Sequence, residues 1–505
     1  MTPVIIVCLY LGLLIILGVV SNRFFRGSPS DYFVASRSMG PFVLFMTVFG
    51  TTMTAFAMVG STGESYRVGV GTYGKIASAS ALIHSACFFL VGLRLWALGK
   101  KHGYMTQIEF FRDRFESRGL GYLLFPILVG LLIPYLLVGL LGAGTVLSGV
   151  TRGAFPVAFA STGGSIPPAL TSAVISAVVL SYIFMGGVRS AAWANTFQTL
   201  VFMLMGLLAF ILISTKLGGL SAASQMGDPG KAVRAGNISE LQFLTYCLIP
   251  LSVGMFPHLF QNCLTSKSSR NFKFMLVAHP ISIMITWIPC ILIGFWMTGA
   301  VIPGTEARII PEAASPNAVL GIAVGKLATP VISGLVTAGV LAAIMSSLDS
   351  QFVSVGTMFT RDIVVHLLGK DRFSDTAMVW LARGFISFIV LVTFLFSLAE
   401  PRQVFTLGIW CFSGYASLFP LVFAAIYWKR TTKAGAYAAV VATAVVWFLL
   451  FRASDYGANT SYLVGGMMPV VLMFAACVLT LILVSLMTKA PSRRTLVKFF
   501  PANKV

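Results

Sequence analysis

The chain is written mostly in long apolar runs, broken at intervals by short clusters of charge. Charge-free or nearly charge-free runs fall at 3–22, 40–63, 73–97, 120–148, 167–188, 190–214, 241–263, 274–301, 328–357, 377–399, 403–427, 434–451 and 462–487. A helix of about 20 apolar residues spans the hydrocarbon core of a bilayer. It also satisfies its own backbone hydrogen bonds, which lipid cannot do for it. The pattern therefore predicts an all-α membrane protein with about 13 transmembrane helices, one for each run. The longest loops, near 215–240 and 302–327, are rich in Gly, Ala and Ser and too short to fold alone. One transmembrane domain over 1–488 and a short basic tail over 489–505 follow.

Two runs carry residues that interrupt a helix. The second reads FVLFMTVFGTTMTAFAMVGSTGESY, with Gly50, then Thr51, Thr52 and Thr54, then Gly60 and Gly63. The seventh reads LTYCLIPLSVGMFPHLFQN, with Pro250, Gly254 and Pro257 close together. Proline removes a donor and clashes with the preceding turn. Kinked helices are common in membranes, but these two lie five spans apart. Many secondary transporters consist of inverted repeats, each opening with a discontinuous helix, with the substrate held at the breaks. The expected core is a 5+5 inverted repeat, spans 2–6 and 7–11, each opening with a discontinuous helix, and spans 1, 12 and 13 are additions.

Composition agrees. Hydrophobic residues make up 57% of the 505 positions and charged residues 10%, against about a quarter charged in soluble domains. The net charge of +20 sits in short loops, without a basic stripe interleaved with aromatics, and predicts no nucleic-acid partner. Assigned to alternate sides, twenty-four Lys and Arg fall with the C-terminus and ten opposite it. The positive-inside rule then places the N-terminus outside and the C-terminus in the cytoplasm of a multi-pass cell-membrane protein. The N-terminal run has no basic leader and reads as a retained helix. The seven cysteines lack CxxC spacing and lie in or beside apolar runs, as small core residues do. The five histidines show no ligand spacing, and His-Glu-x-x-His is absent, so an intramembrane enzyme is not expected.

The stretch GVLAAIMSSLDSQF, Gly339 to Phe352, concentrates the candidate chemistry. Ser346 and Ser347 offer uncharged oxygens, and Ala343 lies on the same helix face. Two hydroxyls and a carbonyl make half a cage for a small cation, which unwound carbonyls of the second span could complete. Ser pairs also pack helices. Asp349 is an ionisable group within a span, and so a candidate ion or proton site or a partner for a basic residue.

GVLAAIMSSLDSQFVSVGTMFTRDI, DYFVASRSMGPF, QNCLTSKS and GGVRSAAWANTFQ resemble motifs of the sodium:solute symporter family. They are spread over most of the chain in the family's order. The resemblance implies the inverted-repeat fold first seen in a bacterial leucine transporter, and sodium-coupled symport of a small organic solute by alternating access. It implies a sodium ion (Na+) held by the carbonyls of Gly50, Met53 and Ala343 and the hydroxyls of Ser346 and Ser347. Some members use an aspartate for a second sodium where this chain has Asn195, so a second ion would need Asp349 to supply the charge. The family's substrate pocket maps to Thr52, Thr54, Phe56, Ser252, Pro257, His258 and Trp410. The PHLFQ stretch is similar to the organic-acid branch, which points to a monocarboxylate or similar compound. Proton-coupled symport of an organic acid, through Asp349 or His258, is the alternative. Arg67 and Lys75 flank the outer mouth, either to attract an anion or as snorkelling ends.

Overall fold

A computed structural model describes residues 1–22, 29–369, 372–399 and 403–500. Of the Lys and Arg counted for orientation, Arg23, Arg26, Lys370, Arg402 and Lys504 lie outside them. Among the described residues the chain is helical, with only isolated β-bridges. Ten helices are long and apolar enough to span a membrane, and each of two sharply bent pairs adds one more. A count of thirteen would also require Pro168–Phe184, which falls in the shorter class of apolar helices. That segment meets Ala191–Lys216 at a kink on Gly187, whose φ of 56° suits glycine. A Cβ there would strike the ring and carbonyl of Tyr32.

The breaks fall where the sequence places them. Pro41–Thr52 and Phe56–Val68 meet at 54°, and Glu240–Gly254 and Pro257–Leu264 at 49°. Threonine hydroxyls make the first break by competing for backbone partners. Thr52 Oγ1 donates to Phe49 O at 2.7 Å, and Thr54 Oγ1 accepts from Phe56 N at 3.0 Å. Proline makes the second. Pro257 opens its helix, and Phe256 before it is extended, at φ −63°, ψ 121°.

Around these breaks lie the most enclosed helices, Pro330–Leu368 and Val404–Tyr427. Pro330–Met358 packs on Pro168–Lys216, Thr2–Asn22 and Arg118–Val150. Lys433–Ala453 and Val470–Met487 pair with each other at the periphery and expose apolar side chains such as Leu449 and Leu483, as lipid-facing helices do. At one end of the bundle, Arg361 pairs with Glu109 at 2.9 Å and Arg112 with Asp362 at 3.6 Å. The tail docks at this end as a short helix, Arg493–Phe499, with Lys498 on Asp113 and both Ser492 and Thr495 on Glu116.

Candidate functional site

The first break leaves carbonyls free. Met53 N donates to Phe49 O, and the chain then turns extended at Met53, with ψ 93°. Among the described residues no hydrogen bond reaches the carbonyls of Gly50 or Met53. Buried carbonyls are nearly always paired, so two free ones at a helix end have the character of cation ligands. The long helix Pro330–Met358 crosses beside them. A Cβ added to Gly50 would stand 2.7 Å from Ser346 Oγ and closer still to Thr199 Oγ1. Gly50 and Ser346, almost 300 residues apart in sequence, are therefore neighbours, and only glycine permits that approach. Ser347 Oγ donates to Ile344 O at 2.9 Å, which leaves its lone pairs free. Ala343, Ser346 and Ser347 are all buried.

One helical turn further on, Tyr182 OH donates to Asp349 Oδ1. With its amide oriented to suit its neighbours, Asn195 donates to Asp349 Oδ2 at 3.3 Å and Ser346 O at 3.1 Å. It then accepts from Ser350 Oγ at 2.9 Å, and Ser350 also bonds Thr51 Oγ1 at 2.9 Å. Asp349 is fully buried and makes no ion pair with a described Lys or Arg. Among the described residues it has no basic partner.

A narrow central cavity lies where the two broken spans approach each other. Thr52, Phe56 and Ser252 line it, as expected, together with Ser80, His84, Tyr135, Tyr246, Phe256, Trp287 and Phe412. No described Asp, Glu, Lys or Arg lines it. Trp287 Nε1 is buried there without a partner, a donor left for a ligand. His84 Nδ1 stands 3.3 Å from His279 Nε2, behind the cavity wall. Four expected residues are not in its lining. Pro257 opens the helix after the second break. Thr54 caps the break. His258 is buried and stacked on Phe256, with ring centroids 5.1 Å apart. Trp410 belongs to a separate recess, against Phe451 and Tyr462. His84, Trp287, Thr199 and Tyr182 were not singled out from the sequence.

Two discontinuous helices meeting at a polar centre inside an all-helical bundle define a secondary transporter of the inverted-repeat type. The sequence profile of the sodium:solute symporter family matches residues 32–443, and the chain belongs to that family. It is a sodium-coupled symporter, with Na+ as the coupling ion. Among curated relatives, the sodium/pantothenate symporter of Escherichia coli K12 is 24% identical over 83% of this chain and 84% of its own. The sodium/proline symporter of the same strain is 25% identical over 88% of each. A solved Na+-coupled sialic acid symporter, in a substrate-bound outward-open state, superposes with a TM-score of 0.76. It is 19% identical over 98% of this chain and 99% of its own. A closed nucleobase-cation-symport-1 family transporter gives 0.52 at 16% identity, over 94% of this chain and 98% of its own. These two likenesses concern the fold.

Proposed function

We propose that this chain carries a small organic solute, a monocarboxylate or a similar compound, by alternating access. One sodium ion sits among the carbonyls of Gly50, Met53 and Ala343 and the hydroxyls of Ser346 and Ser347. The solute sits in the central cavity between the broken spans, beside Thr52, Phe56 and Ser252. The N-terminus faces outward and the C-terminus the cytoplasm of the cell membrane. Residues 1–488 form the transport unit and 489–505 its tail. The observation that carries this reading is the pair of free carbonyls at the first break, with Ser346 Oγ against Gly50. No described carboxylate lines the cavity to receive an ammonium group, and no described Lys or Arg lines it either.

Sodium entering down 100 mV releases about 2.3 kcal/mol, and a tenfold gradient adds about 1.4 kcal/mol. The total, about 3.7 kcal/mol, supports roughly 500-fold accumulation of a neutral solute, whereas with a carboxylate anion the two charges cancel and the gradient alone supports about tenfold. Replacing sodium by choline at constant pH in proteoliposomes should abolish uptake. Undiminished uptake would refute the coupling.

One observation favours a second ion as well. Asp349 is a buried carboxyl with hydrogen-bond donors and, among the described residues, no basic partner. A second sodium or a proton would neutralise it. A proton there gives the alternative coupling to an organic acid, which predicts uptake that follows pH without sodium.

A further inference from the structure

We propose that the recess between the central cavity and the end of the bundle formed by residues 64–75 and 455–469 is a second binding site. It takes the carboxylate of a small organic anion before the anion reaches the centre. This rests on the central cavity being the solute site.

The recess holds an uneven set of charges. Lys75 Nζ lies 2.6 Å from Glu64 Oε1, and Arg67 grips the same carboxylate through Nε and Nη2, each at 3.0 Å. Glu64 is 0% exposed, Lys75 2% and Arg67 30%. Lys75 is therefore no snorkelling end. One cation would neutralise Glu64, but two share it, which leaves one positive charge in a nearly closed space. Donors remain as well, since a lysine ammonium carries three and Glu64 engages one. Ser413 Oγ, on the same wall, is buried without any partner. A buried hydroxyl left unpaired is costly, unless a ligand completes it. Trp410 and Tyr462 supply apolar walls. Surplus positive charge, spare donors and aromatic walls together suit a small carboxylate. An ammonium group would meet only a carboxylate already held twice.

The recess is also next to the centre. Tyr246 lines both spaces. Phe405 of the recess stacks on Phe56 of the cavity, centroids 4.9 Å apart at 14°. Lys75 Nζ rests 5.1 Å from the Phe405 ring centre and 5.7 Å from that of Tyr246. The cation that would hold the anion thus touches the partition the anion must pass. A carboxylate drawing on Lys75 competes with both the cation–π contact and the Glu64 pair, so arrival and loosening of the partition share one residue.

The test is a calorimetric titration of the full chain in detergent, in low-salt choline buffer without sodium. The probes are benzoate, benzamide and benzylamine, of one shape and three charges, and the smaller pair acetate and acetamide. Expected is carboxylate binding at least tenfold tighter than that of the matching amide or amine, as a charge-assisted bond implies. Lys75→Gln should weaken it about tenfold, and Arg67→Gln, at a partly exposed side chain, about threefold. Glu64→Gln should tighten it, because the carboxylate that competes for both cations is gone. A purely structural ion cluster gives no such opposite sign. Lys75→Gln could unfold the chain, so Arg67→Gln and Glu64→Gln, at matched melting temperature, decide. No preference for either carboxylate over its amide, or unchanged or weaker binding in Glu64→Gln, overturns the proposal. Uptake by Trp287→Phe, in the central cavity, separates the two readings. If uptake is untouched there while the benzoate preference stands, the central assignment fails and the outer site holds.

Discussion

Ser346→Ala and Ser347→Ala each delete one oxygen and almost no volume, at the point where the free carbonyls of the first break meet the long central helix. The two hydroxyls stand differently. Ser347 already donates to Ile344 O at 2.9 Å, so alanine there also removes a back-bond within its own helix. That loss is local and nearly neutral for folding, since such bonds slightly destabilise helices. Ser346 Oγ lies against Gly50, on the partner side of the break. A bond to a charged group contributes about 1.5–3 kcal/mol, which corresponds to a ten- to roughly hundredfold rise in the sodium concentration for half-maximal uptake. Uptake in proteoliposomes, titrated with sodium at matched reconstitution, measures it. Ser333→Ala is the control, because that hydroxyl is buried on the same helix without a partner. If the pair serves packing alone, both variants reconstitute poorly or run slowly at the wild-type sodium affinity. That outcome would refute the assignment of both oxygens while leaving family membership intact.

Cysteines placed near Gly230 and Ala458 should react with an impermeant thiol reagent from outside intact cells, and one at Ser492 should not; the opposite pattern would reverse the orientation. Asp349→Asn keeps the shape and removes the charge, so if a second cation binds there, the charge carried per solute should fall by one and the sodium dependence should become less steep. An unchanged ratio, measured by electrical recording beside tracer uptake, excludes that ion. Hydrogen bonds from Ser492 and then Thr495 hold the Glu116 carboxyl below its usual range. Docking of the tail helix is therefore strengthened above the ordinary carboxylate pKa and loses that support as pH falls through the lowered value. Protease cleavage near residue 492 should speed up in acid, and Glu116→Gln should remove that pH dependence.

What the sequence made legible was local. Both breaks were readable because their causes are written in adjacent residues: threonines after Gly50, and Pro257 with the extended residue it imposes on Phe256. The serine pair was readable because helical spacing puts it on one face with Ala343. What stayed hidden depends on contacts between distant segments. Thr199 meets Gly50, Tyr182 meets Asp349, and His84 meets His279 across 195 residues. No periodicity encodes such pairs. Lys75 misleads for the same reason. Its partner Glu64 is only 11 residues earlier, but lies in a separate helix of the adjoining broken span, so a residue placed like a snorkelling end is buried. Trp410 misleads in the other direction, since membership of the eleventh span does not fix its depth, and it lines the recess beside Lys75.

Asn195 shows how a departure from a family pattern becomes interpretable once neighbours are known. In sequence it stands where some members carry the aspartate of a second sodium site, and taken alone it reads as a lost charge. In the fold its amide lies 3.3 Å from Asp349 Oδ2 and 3.1 Å from the carbonyl of Ser346, one of the proposed sodium ligands. The carboxylate is therefore present in the cluster, carried by the neighbouring helix. Coulomb attraction for a cation depends on distance to the charge and not on which helix supplies it. The Ser346 carbonyl, the Asn195 amide, Ser350 and the Asp349 carboxylate form one connected network. An ion at Asp349 would be felt at Ser346 through a single amide. If sodium binds among the serines as proposed, its affinity and the protonation of Asp349 would be linked quantities, each shifting the other by the same factor.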